Sequence, residues 1–159
     1  MAIFEEVISK SLVRLGLTDP DGEQVLKDLI DAAVDEGMLP ERHRDEAVQV
    51  VLKRERSAST ALPDGIALPH GRTECVDELV CMIGVHPQGV AFGAPDGQPT
   101  HIFVLLLVPA NIGSGHIHFL ANLSQRLMER AVCESILAAT TREAVLQAVL
   151  CCPVDGENR

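Results

Sequence analysis

The segment Asp64-Gly65-Ile66-Ala67-Leu68-Pro69-His70-Gly71 ends a short apolar strand at a histidine set between proline and glycine. Pro69 fixes its own φ and holds Leu68 in extended geometry. Gly71 carries no side chain where a bulky partner would approach. One imidazole is thus presented at the end of a rigid element. Imidazole titrates near neutral pH, so an unprotonated ring nitrogen is available as a nucleophile. The layout suits a histidine that reacts with something large, such as a phosphoryl donor on another protein. A strand ending in a turn that His70 merely fills accounts for this segment alone equally well.

Phosphoryl transfer needs in-line positioning and cationic or hydrogen-bonding groups around the equatorial oxygens. Arg54, ahead of Ser59-Thr60, could supply a planar fork of donors. The backbone N–H groups after His70 could form a small anion nest. His116 follows Ser114 and Gly115 at the expected N-terminus of a helix, where anions are favoured and a protonated imidazole is not. A neutral His116 could donate from one ring nitrogen to a phosphoryl oxygen while a neighbour holds the other.

Each of these residues has a plainer alternative. Arg54 could be a solvated charge at a helix end, and His116 an inert first-turn residue. Arg72, close to His70, could touch a phosphate or an acidic partner, but a surface charge is the favoured reading. His116 and His118 do not form a metal pair, because side chains at i, i+2 on a helix point roughly 200° apart. His43, His86 and His101 have no partner motif. Phe92, in the glycine- and proline-rich stretch before the third strand, reads as a core anchor.

Taken in order, several segments share one register. They are Arg54 ahead of Ser59-Thr60, Gly65-Ile66-Ala67-Leu68-Pro69-His70-Gly71, and Gly89-Val90-Ala91-Phe92-Gly93-Ala94-Pro95-Asp96-Gly97-Gln98-Pro99. An apolar strand ending in Val108-Pro109 and then His116-Ile117-His118-Phe119-Leu120-Ala121-Asn122-Leu123 complete the set. This pattern resembles the IIA domain of the bacterial sugar phosphotransferase system, fructose/mannitol type, a family that includes the nitrogen-regulatory IIA proteins. The resemblance runs from about residue 5 to about residue 150. It implies that His70 accepts phosphate through Nε2, with Arg54 and His116 as the supporting arginine and second active-site histidine. It also implies two partners. The donor is the histidine-containing phosphocarrier protein, and the acceptor is a IIB component of a sugar permease. In the regulatory branch a kinase or ion transporter takes the acceptor's place. No cofactor or metal is implied. Asp19-Pro20-Asp21-Gly22 and Asp64 depart from the usual pattern. An acidic Asp64 near His70 would set negative charge against an incoming phosphate.

The elements that must position these residues follow from the hydrophobic pattern. Residues 7–17 contain a first strand. Asp19-Pro20-Asp21-Gly22 starts a helix whose apolar stripe is Val25, Leu26, Leu29, Ile30, Ala33 and Val34, with Gly37 at its C-terminal cap. Pro40 opens a second helix that buries Ala47, Val48, Val51 and Leu52 and runs out near Arg54 to Arg56. Strands are expected at residues 66–68, 79–85 and 101–108, the last two apolar enough to be covered on both faces. Helices are expected at residues 116–130, 133–139 and 142–150. Helices on both sides of a strand cluster give an α/β protein. The expected form is a three-layer α/β/α sandwich with a mixed central sheet of about four to five strands.

The chain has 159 residues, enough for one domain over residues 1–152, with a flexible tail over residues 153–159. With no tryptophan or tyrosine, its core must be aliphatic. A net charge of −10 argues against a nucleic-acid binder and is compatible with a partner carrying a basic docking patch. The start has no basic, apolar leader and no run is long enough to span a bilayer, so a cytoplasmic location is expected, not membrane-embedded. Cys75, Cys81, Cys133, Cys151 and Cys152 match no zinc spacing and read as free thiols, the first three in or near the core.

Overall fold

A computed structural model describes residues 2–151. Met1, Cys152 and the tail expected over residues 153–159 lie outside the described residues.

The chain opens with helix α1 (Ala2–Ser9), whose last turn overlaps the start of the stretch expected to hold the first strand. Phe4 and Ile8, one helical turn apart, are buried, and this spacing sets the helix on the core. Strand β1 (Leu12–Arg14) lies within the expected residues 7–17 but is only three residues long. Helix α2 (Gly22–Asp35) begins where the turn chemistry said: the Asp21 carboxylate accepts from the Glu23 amide at 3.1 Å. It ends in paired bonds from Gly37 N to Val34 O and Met38 N to Ala33 O, with Gly37 at φ 74°. This is the left-handed cap that only glycine adopts without strain. A single 3₁₀ turn (Glu41–His43) leads into α3 (Arg44–Ser57), which buries Ala47, Val48, Val51 and Leu52 as expected.

Among the described residues, six strands make one mixed sheet in the order β1-β5-β6-β3-β2, with β4 also paired to β6. The short members are β2 (Ala61–Leu62), β3 (Ile66–Ala67) and β4 (His70–Thr73), and the long ones are β5 (Val80–Val90) and β6 (Thr100–Pro109). The count exceeds the expected four to five because strands of two to four residues carry no periodicity to read. β5 and β6 are antiparallel, whereas β1 on β5, and β3 and β4 on β6, are parallel. β3 and β4 lie end to end along β6 in one constant register, Ile66 beside Ile102 and His70 beside Leu106.

Alternation along the strands feeds two separate cores. Ile66, Ile83, Val104 and Leu106 face α1, α4 (Gly115–Leu127), α5 (Arg130–Ala138) and α6 (Arg142–Leu150). Ala67, Met82, Phe103, Leu105 and Leu107 face α2 and α3. The three-layer sandwich follows directly. Buried Arg126 ties three helices on the first face. It donates to Asn122 in its own helix and to the Val149 and Leu150 carbonyls of α6, at 2.8, 3.0 and 3.0 Å, and it stacks over the ring of Phe4 in α1. Phe92 packs edge-on against Phe103, so it is the core anchor of its loop. Among the described residues no helix is long and apolar enough to cross a membrane.

Candidate functional site

His70 opens β4, half-buried, at the point where Pro69 releases the chain from β3. Its Nδ1 lies 2.8 Å from the Leu68 carbonyl oxygen. A carbonyl can only accept, so Nδ1 carries the proton. In the neutral ring, Nε2 is then the atom with the free lone pair. Pro69 disfavours helical geometry at Leu68, the residue whose carbonyl meets the ring.

The neighbours of His70 follow from strand parity. His70 and Arg72 share one face of β4, and Gly71 and Thr73 the other, as their alternating burial shows. His70 is in register with Leu106, which belongs to the core beneath α4. Its ring and the Arg72 guanidinium therefore stand on the α4 side. Gly71 faces α3. A Cβ built on it would lie 2.6 Å from Val50 Cγ1 and 3.3 Å from the Val50 backbone carbon. The glycine thus serves the approach of helix to strand, not of a partner, which corrects the sequence reading. The extended strand at residues 70–73 also rules out the anion nest expected there, since a nest needs alternating helical and left-handed residues.

His116 stands in the first turn of α4, as expected, and Ser114 leaves the helix end without a side-chain cap. Arg72 reaches it. The Arg72 guanidinium donates to the Gly113 carbonyl at 2.9 Å and the Ala110 carbonyl at 3.4 Å, and its Nη2 is 3.4 Å from His116 Nδ1. The same Nδ1 is 3.2 Å from the Gly113 carbonyl. The two partners demand opposite states, because the carbonyl needs Nδ1 protonated and the guanidinium needs its lone pair. Arg72, read from sequence as a surface charge, is thus the residue that joins β4 to the start of α4. The missed signal was alternation: once residues 70–73 are a strand, positions 70 and 72 must share a face.

Arg54 lies on the other side of β4. Helix α3 runs antiparallel to this strand, since Val50 packs on Gly71 while Glu46, one turn earlier, lies beside Cys75. One further turn carries the helix from Val50 to Arg54, towards the His70 end of the strand. Its guanidinium donates to the Ala58 carbonyl at 2.8 Å, and among the described residues it makes no hydrogen bond to His70. The structure therefore brings Arg72 and His116 together directly, whereas Arg54 is bonded to the Ala58 carbonyl at the end of α3.

Asp64 is not beside His70. It occupies the β2–β3 turn at φ 70°, its amide held by the Asp96 carboxylate at 3.0 Å. The rest of that turn and then β3 (Ile66–Ala67) lie between it and His70. It borders a cavity with Leu127 and Met128 at the C-terminal end of α4, whereas His116 is at the N-terminal end. The charge conflict expected from sequence does not arise.

Comparison with known proteins agrees with this architecture. The family model described as "Phosphoenolpyruvate-dependent sugar phosphotransferase system, EIIA 2" matches residues 6–150. The chain is 34% identical over 123 residues to the fructose-specific EIIA component of Haloferax volcanii, covering 77% of this chain and 79% of that one. It is 35% identical over 104 residues to the nitrogen regulatory protein of Escherichia coli, covering 64% of this chain and 63% of that one. Among solved structures it resembles the Escherichia coli complex of enzyme IIA and phosphorylated enzyme IIB for mannitol. The TM-score is 0.70 and the identity 24%, covering 86% of this chain and 92% of that one, a likeness of fold.

Proposed function

Because the chain belongs to the EIIA 2 family of the phosphoenolpyruvate-dependent sugar phosphotransferase system, we propose that it is a phosphohistidine carrier with His70 as its phosphorylated residue. The observation that carries this is the Nδ1-to-Leu68 bond, which leaves Nε2 as the nucleophilic nitrogen of a half-exposed ring. The Nε2 lone pair attacks the phosphorus of a phosphohistidine on the incoming phosphocarrier protein. A new N–P bond forms in line as the donor's N–P bond breaks, and that electron pair returns to the donor imidazole. The reverse geometry then delivers the group to a IIB component, the kind of partner seated on the mannitol IIA fold.

His116 and Arg54 are the proposed supporting residues, as the family register implies, and Arg72 joins them. Hydrogen-bonding a phosphoryl oxygen requires Nε2–H on a neutral His116. Arg72, already satisfying the Gly113 carbonyl, favours that tautomer by offering its N–H to Nδ1. Arg72 is in this role a positioning residue. Its charge, with that of Arg54, also offsets the negative charge arriving on His70. Incubation with the general phosphotransferase enzyme, the phosphocarrier protein and phosphoenolpyruvate tests the reading: the wild type should be labelled and a His70→Ala variant should not.

A regulatory reading is favoured by the 35% identity to a nitrogen regulatory protein. In that case phosphorylation at His70, which adds roughly −2 of charge, changes docking on a kinase or ion transporter instead of feeding a permease. Rapid transfer from the phosphorylated chain to a cognate IIB would rule out the purely regulatory version.

A further inference from the structure

Away from His70, the structure gathers three metal-ligating side chains that are scattered in sequence. His43 ends the 3₁₀ turn, Glu46 lies three residues on in the first turn of α3, and Cys75 follows β4. One ligand atom from each lies within 4.8 Å of the other two. Residues three apart on a helical path face the same way, and the antiparallel packing of α3 on β4 lays that face over Cys75. From sequence, His43 had no partner and the cysteine spacing matched no zinc pattern. The set is legible only once α3 and β4 are side by side.

The chemistry of the three groups is specific. An imidazole nitrogen, a carboxylate oxygen and a sulfur together suit a borderline divalent ion, and they do not suit magnesium or calcium, which take oxygen ligands. Zinc sits about 2.0–2.3 Å from such atoms, so ligand atoms in a tetrahedral set lie roughly 3.5 Å apart, and these side chains need close by only about 1 Å. The His43 ring makes no hydrogen bond among the described residues. Cys75 is only 9% exposed, and burial, with the Glu46 carboxylate beside it, pushes its thiol above the ordinary range against an opposing bond from Thr73. A bound cation reverses that balance and holds the sulfur as thiolate. An open cavity of about 610 Å³ borders both His43 and Cys75, with Glu74, Asp77 and Glu78 in its wall. Lys10 and Arg42 also line it, so the wall is mixed in charge, and it gives a cation an entry path and room for a fourth ligand.

We propose that His43, Glu46 and Cys75 form a mononuclear site for a divalent transition metal of the zinc class, with a fourth position open to the cavity. Binding exchanges the Cys75 S–H proton for an S–metal bond and releases that proton to solvent. The site lies on the α3 side of β4, beyond its far end from His70, so it is separate from the phosphoryl site in both place and chemistry.

Cobalt(II) tests it directly. The reduced, chelator-stripped full chain should bind one cobalt ion. It should show a thiolate-to-cobalt charge-transfer band and the visible bands of a tetrahedral ion, which zinc then bleaches. Cys75→Ser should abolish the charge-transfer band. His43→Ala and Glu46→Gln change surface positions, should keep the fold by circular dichroism, and should weaken binding roughly tenfold or more. A Cys151→Ser/Cys152→Ser double variant and His70→Ala should bind as the wild type does. The proposal is overturned if the wild type shows no charge-transfer band. It is equally overturned if the band survives Cys75→Ser, disappears with the C-terminal cysteines, or is indifferent to both His43→Ala and Glu46→Gln.

Discussion

The His70 Nδ1 atom lies 2.8 Å from the carbonyl oxygen of Leu68, two residues back in its own chain. The bond is local, so it requires no partner and no distant element to form. It orients the ring before any donor arrives and leaves Nε2 as the nitrogen with the free lone pair.

Gly71 should tolerate no side chain. A methyl group there meets Val50 Cγ1 at 2.6 Å and backbone beyond it, and backbone cannot rotate away. Gly71→Ala should cost about 1–3 kcal/mol in urea unfolding and should slow phosphorylation of the adjacent His70. A variant as stable and as fast as the wild type would show that α3 and β4 are not packed this closely.

Arg72 and His116 should behave as a pair. Arg72→Ala and His116→Ala should each reduce phosphoryl transfer while leaving docking of the phosphocarrier largely intact. The double variant should lose little more than either single one, because contacting residues are not additive. Fully multiplicative losses in transfer rate would mean that they act separately.

Asp96 predicts a pH effect with a definite sign. Its carboxylate accepts from the Asp64 and Gln98 amides, and these bonds hold its pKa below the usual aspartate value. The folded state therefore releases this proton more readily than the unfolded chain does. The resulting stability is fully present above the ordinary aspartate pKa near 4 and is lost as the pH falls through the lower, folded value. Asp96→Asn should be less stable than the wild type at about pH 7, and the gap should narrow by about pH 3. A gap that widens in acid would contradict the assignment.

The buried thiols should be slow to react. Burial pushes Cys81 up to about 12 and Cys133 up to about 11, so neither is a thiolate at neutral pH. Exposed Cys151 should be modified rapidly by an aromatic disulfide reagent, whereas Cys81 and Cys133 should await unfolding. Prompt modification of Cys81 in the native protein would mean that the sheet opens more readily than its packing implies.

The sequence was most readable where a pattern was long. The stripe of α2, the buried positions of α3 and the two apolar strands β5 and β6 all lie where periodicity and capping put them. What escaped was short or depended on contacts across the fold. Two- and four-residue strands have no period, so β4 looked like a turn, and with it went the shared face of His70 and Arg72. Asp64 is close to His70 in sequence, but β3 lies between them and the turn sets Asp64 at the opposite end of α4 from His116. Gly71 was correctly singled out for having no side chain, but which neighbour needed the space depends on the packing of α3. His43, Glu46 and Cys75 carry no linear signature at all, since their proximity exists only in the folded helix–strand pair.

The central claim is that His70 receives phosphate on Nε2, and nitrogen-15 NMR of the protein phosphorylated by the carrier tests it most directly. The expected spectrum shows one phosphohistidine, at His70, with phosphorus coupled to Nε2 and the Nδ1 proton retained. Phosphate on Nδ1, on His116, or on no histidine at all would contradict it.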